Sequence, residues 1–148
     1  MVKQFISFTV GKEEYGVDIM AIREIKGWSA TTQLPNMPAY LRGVIDLRGT
    51  IVPILDLRVR FGGAQTEPSA RHVTMVVAIG EHVAGLLVDA VADILSVDEA
   101  DIQPVPDLER GTADAFLRGL VTVDGRMVAL LDLQHVFDMD IIAEAVAA

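Results

Sequence analysis

The chain has 148 residues, 51% of them hydrophobic, enough for one ordinary domain with a real core. A formal charge of −9 disfavours phosphate backbones and anionic lipid heads as partners, because binding there depends on neutralisation by Lys and Arg. The absence of cysteine removes disulfides, thiolate catalysis and cysteine metal ligands, and it fits a reducing compartment.

At the N-terminus Ile6, Phe8 and Val10 alternate with Ser7 and Thr9. That pattern predicts an amphipathic strand and lacks the continuous apolar stretch of a signal peptide. No apolar run approaches the roughly 18 residues needed to span a bilayer. The expectation is a soluble, cytoplasmic protein. Aromatic residues make up only 5% of the chain, so the core is aliphatic, and short Val, Ile and Leu runs favour strands.

Gly11 and Gly16 punctuate the next strand, and Asp18 stands where it can cap a helical turn. Leu41 to Gly62 then reads LRGVIDLRGTIVPILDLRVRFG. Arg48-Gly49 marks a two-residue hairpin within it, and Asp56 a second cap. Pro53 interrupts the run Ile51 to Leu55, which predicts an edge strand or a barrel bend. Gly62 to Ala70 has linker composition.

Beyond the linker the pattern repeats. Met75 to Leu86 resembles Ile6 to Val17, with Gly80 over Gly11 and Gly85 over Gly16. Asp89 follows at the place of Asp18. Leu117 to Asp138, LRGLVTVDGRMVALLDLQHVFD, aligns with Leu41 to Gly62 without a gap. The matched residues include Leu41/Leu117, Arg42/Arg118, Gly43/Gly119, Gly49/Gly125, Asp56/Asp132 and Phe61/Phe137. Chance similarity among apolar residues would not also match glycines, an Asp and a Phe. The chain is a tandem duplication of one β-rich unit, and neither half is large enough to be stable alone. Two small barrels are expected, because closure lets a small sheet bury one face and lose its edges. Their bounds are about 12–70 and about 71–130, with the N-terminal strand and a C-terminal helix from about Asp132 completing a shared core. Asp89 and Asp132 are expected to cap helical turns as Asp18 and Asp56 do.

Catalytic chemistry is not visible. His72, His82 and His135 have no metal-ligand spacing, and no metal or other cofactor is expected. Ser7, Ser29, Ser69 and Ser96 stand in no nucleophile-elbow context. The glycines do not form a phosphate-binding loop. The aspartates are better explained as caps than as catalytic carboxylates, so no catalytic residue is assigned.

The blocks Tyr15 to Trp28 (YGVDIMAIREIKGW), Leu41 to Gly49 (LRGVIDLRG) and Ile51 to Leu57 (IVPILDL) resemble the signature blocks of the CheW family. Val88-Asp89-x-Val91-x-x-Ile94-Leu95 and Ile102-Gln-Pro104 follow in family order, and the resemblance covers about residues 4 to 142. It implies an all-β fold with short helices: two SH3-like five-stranded barrels plus a C-terminal helix. It also implies a non-catalytic scaffold or adaptor that couples methyl-accepting chemoreceptors to the histidine kinase CheA, reaching membrane-bound receptor arrays only through its partners. Neither nucleic acid nor direct membrane insertion is expected.

By position in those blocks, the receptor tip would meet a groove lined by Ile19, Ile22, Gly43, Gly85, Val91 and Ile94. The aliphatic positions read equally as plain core, and the two glycines as strand positions with no room for a side chain. The resemblance places Glu24 and Arg48 as an ion pair near the partner surface. It places Pro106 and Leu108 in the loop that meets the kinase regulatory domain, where Leu108 stands in place of a frequent aromatic. Arg42, Arg58 and Arg60 are expected to be solvated. A free-standing regulatory domain related to the kinase's own, and an adaptor of a non-flagellar chemosensory pathway, would share this fold. An initiating Met close before the first strand favours a stand-alone adaptor.

Overall fold

A computed structural model describes residues 1–105, 116–138 and 142. The first half supplies β1 (Val2–Val10), β2 (Glu13–Asp18), β3 (Ile22–Gly27), β4 (Leu41–Leu47), β5 (Thr50–Asp56) and the short helix α1 (Leu57–Arg60). The second supplies β6 (Val73–Ile79), β7 (His82–Val88), β8 (Ala90–Asp98), β9 (Leu117–Val123), β10 (Arg126–Leu131) and α2 (Leu133–Val136). These strands form two five-stranded sheets, in the orders β8-β1-β2-β10-β9 and β3-β6-β7-β5-β4.

The two orders are the same pattern with the halves interchanged. The hairpin β1–β2 leaves its own half and pairs with β8 and β10, while β6–β7 pairs with β3 and β5. The sheets therefore cut the chain differently from the expected boundaries at about 12–70 and 71–130: each sheet contains strands from both halves. The return pairings, β5 to β7 and β10 to β2, are parallel, and all others are antiparallel.

Each sheet also turns back on itself. The chain beyond β3 bridges to β4 through Thr32 and Val44, with reciprocal backbone hydrogen bonds of 2.9 and 2.8 Å. The chain beyond β8 does the same to β9 through Gln103 and Leu120, at 2.8 Å in both directions. This crossing explains why the Leu-Arg-Gly step occurs twice. A Cβ on Gly43 would lie 2.5 Å from the Thr32 carbonyl oxygen, and one on Gly119 would lie 2.8 Å from that of Gln103. Only glycine leaves space for the passing backbone.

Between the sheets lies the main core, in which Ile6, Phe8 and Val10 of β1 join Met75, Val77 and Ile79 of β6. Each sheet wraps a smaller cluster of its own: Phe5, Leu95, Val121 and Leu130 in one, Val52, Ile54 and Leu87 in the other. Phe137 and Ile142 close the main core. Of the C-terminal helix expected from about Asp132, the four-residue α2 ends at an extended Phe137, and beyond Asp138 only Ile142 is among the described residues, in a helical turn where its N–H donates to the Asp138 carbonyl.

Three of the four expected Asp caps form. Asp18 accepts from the Met20 N–H, Asp56 from Arg58, and Asp132 from Gln134 and His135. Asp89 does not cap, since β8 begins immediately after it. Its carboxylate accepts from the Gly11 N–H at 2.7 Å and faces Arg58 and His72 at 3.5 and 3.4 Å, tying the two halves together. Pro53 lies in an interior strand, which overturns the edge position, one of the two places expected for it. Pairing of β5 with β7 begins only at Ile54, so the missing N–H removes no bond on that side.

Candidate functional site

The apolar residues singled out in the sequence divide by position. Ile19, in the 3₁₀ turn Ile19–Ala21 that carries the chain from one sheet to the other, is partly buried against the main core, as are Ile22 and Val91. Ile22 faces Val77 across the ladder and Val91 faces Phe8, so the two hold corresponding places on the edge strands β3 and β8. Ile94, opposite Ile6, is 61% exposed.

Both edge strands carry a bulge, between Ile22 and Glu24 in β3 and between Val91 and Ile94 in β8. An extra residue bends the strand locally and re-aims its side chains. In β8 the irregularity is secured by the buried Ser7 hydroxyl, which accepts from the Asp93 N–H at 3.0 Å. The register that equates Ile22 with Val91 also equates Ile25 with Ile94, and Ile25 is exposed as well, at 41%. The sequence reading missed Ile25. The spacing of Gly11 and Gly80 carried the signal, since the same offset leads from Ile25 to Ile94.

Gly43 and Gly85 are buried strand positions on either side of Ile54, with Gly43 opposite Ile54 on β5 and Ile54 opposite Gly85 on β7. A Cβ on Gly85 would lie 2.6 Å from Ile54 Cδ1 and 3.0 Å from Thr74 Cγ2. Both glycines thus have a packing reason within their own sheet, separate from the core against which Ile19, Ile22 and Val91 pack.

Glu24 and Arg48 do meet. Arg48 donates from Nη1 and Nη2 to the two carboxylate oxygens of Glu24, at 3.2 and 3.3 Å. Arg48 and Gly49 both have positive φ, 51° and 88°, and Leu47 pairs with Thr50, which defines a two-residue hairpin turn with left-handed central residues. The Asp46 carboxylate accepts from the Gly49 N–H at 2.7 Å and fixes it. Pro106 and Leu108 lie outside the described residues.

The remaining arginines of this segment are only partly solvated, and each has partners within the fold. Arg42 stands 3.8 Å from buried Asp56 and over Trp28, and Arg58 meets Asp89. Arg60 lies between the rings of Tyr40 and Phe116 and donates to the Val136 carbonyl at 2.7 Å. Burial raises the Tyr40 hydroxyl above its ordinary range, with the Arg60 charge opposing the shift. These residues brace the fold. The linker is braced too: both the N–H and the hydroxyl of Thr66 donate to Asp56 at 2.8 Å.

No group of three or more His, Cys, Asp or Glu side chains suited to a metal ion occurs among the described residues. No helix among them is long and apolar enough to cross a membrane. Ser69 Oγ, His72 and Asp89 do form a chain, at 3.1 and 3.4 Å, but the Ser69 N–H also donates to the same His72 nitrogen at 3.0 Å. That nitrogen is occupied by backbone, so the arrangement locks a loop and does not activate a nucleophile.

A family profile for the CheW-like domain matches residues 4–140. The chain is 47% identical over 135 residues to a protein named chemotaxis protein CheW from Rhizobium meliloti, covering 91% of this chain and 87% of that one. It is 38% identical over 138 residues to chemotaxis protein CheW from Klebsiella aerogenes, covering 93% and 83%. The fold is similar to the crystal structure of the scaffolding protein TtCheW from Thermoanaerobacter tengcongensis, with a TM-score of 0.83, 34% identity, and coverage of 93% of this chain and 88% of that one.

Proposed function

The chain belongs to the CheW family, and on that premise we propose that its function is to hold chemoreceptors and the kinase CheA in one signalling assembly. It is a non-catalytic scaffold of chemotaxis. The observation that carries this reading is the likeness to chemotaxis CheW proteins along nearly the whole chain.

The receptor tip docks along the apolar seam bordered by Ile19, Ile22 and Val91, with Ile94 and its counterpart Ile25 as its exposed rim. The bulged edge strands support this placement, since they present aliphatic side chains to solvent where an edge would ordinarily be charged. Gly43 and Gly85 contribute by keeping the supporting sheet in shape. The Glu24–Arg48 corner faces the regulatory domain of the kinase, and the family likeness assigns Pro106 and Leu108 to the same partner.

The test is Ile94→Asp. Because Ile94 is already exposed, the variant should fold, and a carboxylate that must be desolvated against an apolar partner should weaken binding of a receptor cytoplasmic fragment by about tenfold or more. Binding of the kinase regulatory domain should be retained. Unchanged receptor affinity in the folded variant would remove the seam from the receptor site.

A further inference from the structure

The two sheets follow one pattern, but their edges are closed differently. In the sheet of β3 to β5, Trp28 packs with Ile45 and Leu47 on the sheet's own cluster, and Arg48 reaches Glu24 across the gap. The offset that equates Gly11 with Gly80 puts Val97 in the place of Trp28 and Asp93 in that of Glu24. The offset from Leu41 to Leu117 puts Asp124 in the place of Arg48. The other sheet therefore lacks the indole and has two acids where its counterpart has an ion pair.

A cavity of ≈ 450 Å³ opens at that place, between the edge strands β8 and β9. Among its lining residues Val97 and Val121 are buried and Asp98, Asp101 and Asp124 are exposed, which gives it an apolar floor and an acidic rim. Asp98 caps the turn at Ala100 and stands 3.7 Å from the amino terminus. Asp101 and Asp124 have no hydrogen-bond or ion-pair partner among the described residues, and no Lys, Arg or His among them lines the cavity. Val97 and Val121 belong to the cluster inside this sheet and not to the main core, so the cavity is separate from the seam of Ile19, Ile22 and Val91. The first repeat shows what fits such a corner: a guanidinium for the charge and apolar bulk for the space. An arginine side chain supplies both, with its stem on the valines and its head between the carboxylates.

We propose that this cavity docks an arginine side chain from the regulatory domain of the kinase, as a specificity-determining contact of the scaffold. The choice of partner rests on the kinase reading above: Gln103, on the cavity wall, stands three residues before Pro106, which the family likeness assigns to that partner. Carboxylates gathered round one opening favour a cation and reject an acidic side chain, so the contact discriminates between partners as well as holding one.

The experiment titrates the kinase regulatory domain, and separately a receptor cytoplasmic fragment, against the full-length wild type, Asp101→Asn/Asp124→Asn and Asp124→Arg, at low and high salt, with a thermal melt of each protein. Asn suits the left-handed conformation at Asp124, φ 50°, and both aspartates are exposed, so the Tm of the double variant should be unchanged. Its kinase-domain affinity should fall about tenfold, with a shallower salt dependence than the wild type. Asp124→Arg places in this corner the side chain that the first repeat carries, and should weaken kinase binding further. Receptor affinity should hold in both variants. Wild-type kinase affinity in the double Asn variant would overturn the docking of an arginine while leaving the kinase reading intact. Tighter binding would mean that an acidic segment meets the cavity, and equal loss of both partners would mean a structural role; either overturns the proposal. A wild type that binds no kinase domain would remove the kinase reading itself, and the docking site with it.

Discussion

Arg48 donates two hydrogen bonds to Glu24 from a hairpin turn on the opposite edge of the same sheet. Glu24 belongs to the edge strand β3, and Arg48 joins the other edge strand, β4, to β5. The pair spans the gap that curling of the sheet leaves between its edges. Arg48 does this from a left-handed conformation that disfavours arginine, at φ 51°, where the second repeat carries Asp124 at φ 50°. An unfavourable backbone residue kept on an exposed corner points to selection for something other than stability.

Arg48→Glu should therefore leave the fold intact and break partner coupling. With Arg48 77% exposed, the pair is worth roughly 0–1 kcal/mol to folding, so Tm should fall by only a few degrees. Facing like charges at an interface can cost several kcal/mol, so binding of the kinase regulatory domain should collapse. Arg48→Asn, which suits the left-handed turn, should melt at or above the wild-type temperature and still bind poorly. Normal binding by both folded variants would take Arg48 off the functional surface. Recovery in the Glu24→Arg/Arg48→Glu double mutant would show that the two act chiefly on each other.

Gly43→Ala should cost about 2–3 kcal/mol and lower Tm by about 5–10 °C, because the added methyl meets the Thr32 carbonyl at a φ of +136°. Gly27→Ala is the control. Its Cβ would meet nothing within 4 Å and its φ is unremarkable, so Tm should hold or rise slightly. Equal melting of both variants would contradict the close crossing of the chain over β4.

Asp56 and Asp132 hold the same place in the repeat but differ in burial. Asp56 is 0% exposed and serves Thr66 twice as well as Arg58, whereas the Asp132 side chain is 30% exposed. Asp56→Ala strands several buried donors and should cost about 3–5 kcal/mol. Asp132→Ala should cost about 1 kcal/mol, the loss of a cap. Urea titrations of both variants measure the difference, and equal losses would refute it.

The full chain should unfold in a single transition by far-UV circular dichroism and by Trp28 fluorescence, because neither sheet can form without both halves. A fragment of residues 1–66 holds β1–β5 and should show no cooperative melt. Stable folding of that fragment would argue against the interdependence of the two sheets.

Much of this was legible in the sequence, and the gaps have physical causes. The hairpin at Arg48-Gly49 and the caps at Asp18, Asp56 and Asp132 are local devices, readable from a few neighbouring residues. The Glu24–Arg48 contact was reachable only through family likeness, since no spacing along the chain places those two residues together. Strand exchange left no local mark, because β1 and β6 have the same apolar alternation whichever sheet they join. Asp89 misled for a related reason: it follows the same Val-Asp step as Asp18, but its hydrogen-bond partner, Gly11, comes from the other half of the chain. Whether a half-apolar edge such as β8 serves a partner or merely ends a sheet depends on the exposure of Ile94, which only three-dimensional packing decides.

The interchange of hairpins also sets the order in which a nascent chain can be completed. The sheet holding β3 to β5 has its last strand only when Val88 emerges from the ribosome, and the sheet holding β1 waits for Leu131. The first strand to be translated is thus among the last to gain its full cover. At synthesis rates of about 5–20 residues per second, Phe5, Ile6 and Phe8 have β2 beside them but lack the cover of the second half for on the order of 10 s. For that interval the amino-terminal hairpin exposes apolar side chains that the finished sheets cover, which makes it an aggregation hazard.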